Sequence, residues 1–329
     1  MKLRIVIIAA LGLVVAFYLV MHVGVAAVVS AVVAVGGGGF AVLCLYALGP
    51  FLILGAAWYV LLPGCSDVRP KILVWARMVR DAATEVLPFS QLGGIVIGAR
   101  AAVLCGVSQP RIVGSAIVDV TTEMLAQIAY VALGVAILSA RTPRTSFTLS
   151  LTTGLIIGLV MAVLAGVVFL ALQRHSRRMT ARITARIFPA AVAATAAVSG
   201  ELDAIYRSPQ RVGISLALHF VGWIASAIGA WIAFRLMGAN IDLAAVLAIE
   251  SLLCATRSIA FFIPNALGVQ EAAYAILSPL FGVGAEIGLA VSLLKRARDI
   301  AVGVPILLIW QGVEGQRALA QVRAQTKTP

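Results

Sequence analysis

Long apolar runs separated by short polar segments set the pattern of this chain. Residues 5–21, 40–62, 112–140, 149–172, 212–236 and 287–310 are each predominantly apolar stretches. Crossing a hydrocarbon core of ~30 Å takes ~20 apolar residues in a helix, so each run predicts one spanning helix. Two further regions are apolar but interrupted. Residues 72–107 are broken at Pro88 and Gly93-Gly94, and residues 243–280 at Pro264 and Gly268. A short Ala/Val stretch, residues 25–35, precedes four glycines and reads as interfacial.

The polar segments test that map. Lys2 and Arg4 precede the first run; Arg69, Lys71 and Arg77 follow the second; Arg174, Arg177, Arg178, Arg182 and Arg186 follow the fourth; Arg207 and Arg211 precede the fifth; Arg317, Arg323 and Lys327 follow the sixth. With both termini in the cytoplasm, all of these lie inside and only Arg141 and Arg144 lie outside, as the positive-inside rule requires. The solution needs about six spanning helices and two hairpins, each returning to the side it entered. Backbone of that kind survives at membrane depth only when buried in protein or lining a wet cavity. The basic start and first apolar run resemble a signal peptide, but no small-residue cleavage site closes the run, so it reads as an uncleaved first helix.

Composition agrees. The chain has 329 residues, is 62% hydrophobic and only 12% charged, about half the charge of an average soluble domain. It reads as a single transmembrane domain, residues 1–329, in a cytoplasmic membrane. The net charge of +12 follows from the basic loops and an anionic lipid surface rather than from nucleic acid, which is not an expected partner. Cys44, Cys65, Cys105 and Cys254 show no CxxC or Cys/His pattern and read as small apolar residues. His22, His175 and His219 are far apart, so no metal site is expected. Neither GxSxG, Walker A nor HExxH occurs; the chain is not expected to be an enzyme or to carry a cofactor. Trp58, Tyr59, Trp75 and Trp310 read as interfacial anchors, and His219 as a packed residue inside a helix.

The two interrupted regions resemble each other. One reads Leu87-Pro88-Phe89-Ser90-Gln91-Leu92-Gly93, the other Ile263-Pro264-Asn265-Ala266-Leu267-Gly268. Gly106 lies 13 residues before Asp119 and 17 before Glu123; Gly282 lies 13 before Lys295 and 17 before Asp299. Repeat-like halves of about 38–140 and 212–311 follow. In the topology above, the first hairpin opens from the cytoplasm and the second from outside, the pattern of an inverted repeat with a site where broken helices meet.

Charges at membrane depth are the candidate chemistry. A charge at the centre of a spanning helix costs ~2.5–3.5 kcal/mol on the insertion scale, so such residues face the bundle or a wet cavity. Lys295, Arg298 and Asp299 share one face of the last helix, and Arg296, about 100° away, needs a partner of its own. Asp119 and Glu123 also share a face, and as paired carboxylates they need a cation, a proton or water; the basic face of the last helix is the expected partner. The hairpins contribute Arg80, Asp81, Glu85 and Arg100, then Glu250, Arg257 and Glu271. Arg100, Arg257, Glu271, Lys295, Arg296 and Arg298 are candidates for a lipid headgroup cavity, while Asp119, Glu123 and Asp299 are candidates for ion or proton coupling. Pro88, Gly93, Gly94, Pro264 and Gly268 shape the hairpins.

LPFSQLGGIVIGARAAVLCGV (residues 87–107), the Asp119-x-x-x-Glu123-x-x-x-Gln127 spacing, PNALGVQEAAYAILSPLFG (264–282) and LLKRARDIAVG (293–303) together resemble the lysylphosphatidylglycerol-synthase transmembrane, or flippase-like, family. Within it, the chain is most similar to the hopanoid-biosynthesis-associated membrane protein L type. The resemblance implies lipid translocation or lipid handling in a bacterial inner membrane. Larger relatives carry a soluble aminoacyl-transferase domain absent from this sequence, so synthesis of a lysyl-lipid is not implied. Many relatives have Glu after the paired glycines where this chain has Ile95, so no role of that carboxylate is carried over. The leading expectation is a translocase for an amphipathic lipid, anionic or hopanoid-related, with membrane lipids and other lipid-biosynthesis proteins, including those of hopanoids, as partners. The alternatives are a membrane-embedded transferase subunit, with Glu85 or Glu271 as base, or a scaffold for lipid-synthesis enzymes.

Overall fold

The computed structural model describes residues 25–62, 68–87, 91–143, 145–187, 192–260, 266 and 268–325. Among them there is no strand. The helices are α1 (Val25–Tyr46), α2 (Leu48–Val60), α3 (Pro70–Val86), α4 (Gln91–Leu104), α5 (Gln109–Arg141), α6 (Ser146–Ile187), α7 (Val192–Tyr206), α8 (Pro209–Leu236), α9 (Leu243–Ile259), α10 (Val269–Leu277) with a 3₁₀ turn at Ser278–Phe281, and α11 (Ala285–Gln325). Proline occupies the first turn of α3, α5 and α8, where a missing N–H breaks no helical bond.

Four described segments are long and apolar enough to span a membrane: Val28–Val60, Gln109–Arg141, Ser146–Ala171 and Pro209–Leu236. They match the second to fifth apolar runs. The first run lies outside the described residues. The sixth falls within α11, whose length suffices but whose centre carries Lys295, Arg296, Arg298 and Asp299. Many large apolar side chains face outward, among them Val33 at 71%, Leu92 at 73% and Ile259 at 75% exposure. A surface so apolar is matched to lipid rather than water. The protein is an all-helical, multi-pass membrane protein.

At the N-terminal side, residues 25–35 are a helical stretch set off by a kink: Gly36, with φ 74° and ψ 160°, breaks the helical path inside α1 before it resumes towards Tyr46.

The two interrupted regions close alike. In the first, α3 and α4 pack antiparallel at van der Waals range. A Cβ on Gly94 would lie 2.7 Å from the Arg80 carbonyl, and one on Gly98 would lie 2.6 Å from Arg80 Cβ and 2.9 Å from the Ala76 carbonyl. This is close approach through small residues four apart, as in membrane helix pairs. Each region then closes on a glycine with positive φ, Gly106 (95°) and Gly282 (78°). The bonds around them correspond: Gly106 N–H to Val103 O and Val107 N–H to Ala102 O in one, Gly282 N–H to Pro279 O and Val283 N–H to Ser278 O in the other. Both are Schellman-type closures that favour glycine, and the next residue is a buried valine in both. Pro88 and Pro264, assigned as hairpin-shaping, lie outside the described residues. Gly268, with φ 78°, precedes the first turn of α10, where its N–H donates to Glu271 Oε2 at 2.9 Å.

Contacts between distant segments order the ends of the bundle. Arg211 Nη1 donates to Leu62 O at 2.7 Å. Arg111 Nε lies 3.9 Å from Glu201 Oε1, and Arg100 Nη2 donates to Glu314 Oε1 at 2.8 Å. At the far end of α5, Arg141 pairs with Asp242, which also caps α9 by accepting from Ala245 N–H at 2.9 Å. Arg111 and Arg141 are 30 residues apart on α5, some 45 Å at about 1.5 Å per residue.

The core has corresponding parts. Trp58, Leu62, Leu73, Ala102 and Ile112 centre one cluster on α2 to α5. A larger one, around Leu138, Phe234, Ile249, Tyr274 and Leu294, joins α5 to α8, α9, α10 and α11. Trp58 is therefore not an interfacial anchor: it is fully buried, and its Nε1–H donates to Ser115 Oγ at 3.0 Å. An indole beside a buried hydroxyl satisfies its one donor inside the bundle and needs no headgroup region. Tyr59, Trp75 and Trp310 are half-buried.

Candidate functional site

The interior polar groups fall into two networks, joined by a bridge between the hairpins. The first is built by α3, α5 and α8. On α3, Arg77 and Arg80 lie three residues apart and so share a face. Arg80 donates to Asp119 Oδ2 at 2.7 Å and to Glu123 Oε2 at 2.5 Å; Arg77 donates to Glu123 Oε1 at 2.6 Å and to Asp81 Oδ2 at 2.8 Å. From α8, His219 Nε2 lies 3.0 Å from Asp119 Oδ1. Asp119 and His219 are fully buried. One turn away, the Thr122 and Ser215 hydroxyls meet at 3.0 Å, also fully buried. Asp81 and Glu123 keep partial exposure, their side chains at 23% and 17%, so the network runs from a sealed end at His219 to an open end on α3.

This corrects the expected partner of Asp119 and Glu123. It is not the basic face of the last helix but the α3 pair, Arg77 and Arg80. Arg77 reads in sequence as a loop charge because it follows the second apolar run closely; its spacing to Arg80 and Asp81 places it on a helix face instead. His219, which reads in sequence as a packed residue, is the inner member of the network. The only signal in sequence was its position inside an apolar run.

The second network is built by α9, α10 and α11. Lys295 Nζ donates to Glu250 Oε1 and Oε2 at 2.8 and 2.7 Å and to the Tyr274 hydroxyl at 2.7 Å, and that hydroxyl in turn bonds Glu250. Three ammonium protons meet three acceptors, which is what a lysine at this depth requires. Beside it, Arg298 pairs with Asp299 at 2.6 Å, and Arg296 finds its separate partner in Glu271 at 2.8 Å. Asp119 and Lys295, at matching positions after Gly106 and Gly282, thus carry opposite charges and each pairs with the first helix of its own hairpin.

The bridge is the ion pair of Arg257 Nη2 with Glu85 Oε1 at 2.8 Å, both side chains 28% exposed. Gln127 Nε2 reaches Ser258 Oγ at 2.5 Å next to it. Glu85 is in the last turn of α3 and Arg257 in the last turn of α9, so the two hairpins touch where their first helices end.

Of the headgroup candidates, Arg257, Glu271, Lys295, Arg296 and Arg298 are therefore brought into one region, but each is already matched by an opposite charge. Arg100 is not with them: half exposed, it pairs with Glu314 at the end of the bundle. Of the coupling candidates, Asp119 and Glu123 share the first network and Asp299 lies with the second. Cys105 is exposed rather than packed, while Cys44 and Cys254 are half-buried; all three are free thiols.

The described residues form a helical bundle with an apolar exterior and a charge-paired polar interior, as a membrane protein requires. The chain belongs to the family of the lysylphosphatidylglycerol synthase TM region, whose model matches residues 3–306. That family places it among membrane proteins involved in lipid handling or flipping. No curated protein and no solved structure matches the chain.

Proposed function

We propose that this protein moves an amphipathic lipid between the leaflets of a bacterial inner membrane, passing the headgroup through the polar seam where the two hairpins meet. The observation that carries this reading is the partly exposed Glu85–Arg257 bridge with Gln127 and Ser258 beside it. A pair of opposite charges inside an apolar bundle is costly unless it is satisfied and used, and here it is open enough to exchange its partner for a charged headgroup. Anionic and hopanoid-related lipids are the first to test, because of the similarity to the hopanoid-associated branch.

The contacts at the bundle ends support the topology that this function needs. Leu62–Arg211, Arg111–Glu201 and Arg100–Glu314 join segments assigned to the cytoplasmic side, and Arg141–Asp242 joins two assigned to the outside. On that assignment the α3–α4 hairpin starts and ends inside and the α9–α10 hairpin starts and ends outside, an inverted pair of re-entrant hairpins between about six spans. Both termini are then cytoplasmic.

The test is reconstitution in liposomes holding a fluorescent phospholipid in both leaflets, followed by an impermeant quencher. Exposure of the inner pool, abolished by Arg257→Gln, supports translocation; accessibility equal to empty liposomes across anionic, zwitterionic and hopanoid-containing membranes refutes it. One observation favours a second reading, a scaffold for lipid-synthesis enzymes: every headgroup candidate already has an internal counter-charge, as structural locks would. A scaffold keeps its partners bound in Arg257→Gln as long as the fold survives.

A further inference from the structure

The first network does not balance its own charge. Two guanidinium groups, Arg77 and Arg80, face three carboxylates, Asp81, Asp119 and Glu123. Among the described residues, the one further titratable side chain in contact is His219. Asp119 already accepts from Arg80, so as a carboxylate it can only accept from His219, and Nε2 must carry the proton of that bond. The ring's remaining basic position is then Nδ1, which is buried and has no hydrogen-bond partner. An uncompensated charge in a low-dielectric interior is expensive, and a proton on Nδ1 makes the network neutral.

We propose that His219, held by Asp119, binds one exchangeable proton that neutralises this network, and that lipid movement is coupled to a proton gradient through it. The coupling rests on the translocation reading; the proton site does not. The proton adds as an N–H bond at Nδ1 while Asp119 stays ionised and the Nε2–H bond to it is kept. Its route to the surface follows the network, since Glu123 and Asp81 carry the partial exposure that Asp119 and His219 lack.

Among the described residues, the surroundings of His219 leave it no other charge partner. α2 and α1 pack against α8 and contain no Asp, Glu, Lys, Arg or His in their described spans. On α9, Glu250 is taken by Lys295 and Arg257 by Glu85. The α11 residue that nears α8, Arg298, lies by Gly229, ten residues along the helix and so some 15 Å from His219. On α7, Glu201 faces Arg111 and Asp203 has a partner of its own. Asp119, Arg77, Arg80, Asp81 and Glu123 are the groups that set its state.

The experiment has two arms. In the first, ¹⁵N-histidine NMR of the full chain in nanodiscs follows the imidazoles, with His219→Gln identifying the signal among the three histidines. The expected result is a ring whose signals change between the doubly and singly protonated forms as pH is varied, with that response altered in Asp119→Asn. A ring in one protonation state throughout, in wild type and variant, overturns the site. In the second arm, liposomes of phosphatidylethanolamine and phosphatidylglycerol with trace fluorescent phosphatidylglycerol are assayed with and without an imposed pH gradient. Wild type is expected to change rate about tenfold. The double variant His219→Gln/Asp119→Asn, which balances two arginines with two carboxylates and so keeps the fold, is expected to lose the response. Translocation that ignores the gradient while His219 titrates overturns the coupling alone. No translocation by wild type overturns the lipid reading together with the coupling, and the NMR titration then decides the proton site by itself.

Discussion

Arg257 and Glu85 join the C-terminal turns of α9 and α3 across 2.8 Å, so the one direct ion pair between the two hairpins lies at their meeting point among the described residues. Because both side chains are partly exposed, losing the pair should cost less stability than breaking a sealed pair does. Arg257→Gln and Glu85→Gln are expected to slow lipid translocation by about tenfold or more while the thermal midpoint moves by only a few degrees. An unchanged rate in both variants removes the seam from the proposed path.

Lys295 and Glu250 behave differently because they are sealed. Lys295→Met leaves a buried carboxylate without its cation and is expected to destabilise the protein by about 3–5 kcal/mol. Adding Glu250→Leu should recover most of that loss, since the double change removes both charges. Thermal unfolding in detergent for the two single variants and the double variant measures it; equal losses in single and double variants would show that the pair does not act as a unit.

Gly94 and Gly98 set the distance between α3 and α4 and with it the position of Arg80. Gly98→Leu should cost about 1–3 kcal/mol by overpacking. Gly154→Leu and Gly158→Leu on α6, where nothing lies within 4 Å of an added Cβ, are expected to be neutral. Comparing midpoints across these three variants checks the close approach.

Cys105 stands exposed at the turn that closes the first hairpin. With Cys44, Cys65 and Cys254 replaced by Ala, a membrane-impermeant maleimide should label it only from the side that holds the termini. Labelling from the opposite side would mean that the hairpin crosses the membrane instead of returning.

Asp242 lies outside the spans, where the hydrogen bond from Arg141 and then the Ala245 N–H hold its carboxyl below the ordinary aspartate value. A depressed folded value means that this stabilisation is present above the unfolded value of ~3.9 and is lost as pH falls through the folded one. Asp242→Ala should cost about 0.5–2 kcal/mol near neutral pH, mostly as a lost helix cap. The difference from wild type should shrink below about pH 4 and, because the pair is half exposed, should also shrink with added salt. Unfolding curves at several pH values and two salt concentrations test both trends.

Much of the architecture was legible in residue order alone. Helix length against bilayer thickness is a local property, so residues 112–140, 149–172 and 212–236 already marked three of the apolar helices long enough to span, although the helix holding 149–172 runs on to Ile187. Gly106 and Gly282 could be matched by spacing because a positive-φ closure depends on one residue and its neighbours. That the charges of the last helix would turn inward also followed from cost, as did the need of Arg296 for a partner away from the Lys295 face. Trp58 was misplaced because an indole near a helix end looks the same in sequence whether it meets a headgroup or the Ser115 hydroxyl.

By itself, then, the sequence determined the membrane class, the rhythm of spans and broken regions, and which charges could not face lipid, since each depends only on local hydrophobicity and helical period. Only the tertiary structure decided who pairs with whom. It gave Asp119 to Arg80 and His219 rather than to the last helix, Lys295 to Glu250 and Tyr274, and Glu85 to Arg257. Ion pairing depends on distances of 3 Å between helices far apart in the chain, and those are set by the small-residue contacts, such as Gly98 against Arg80, that let the helices come together.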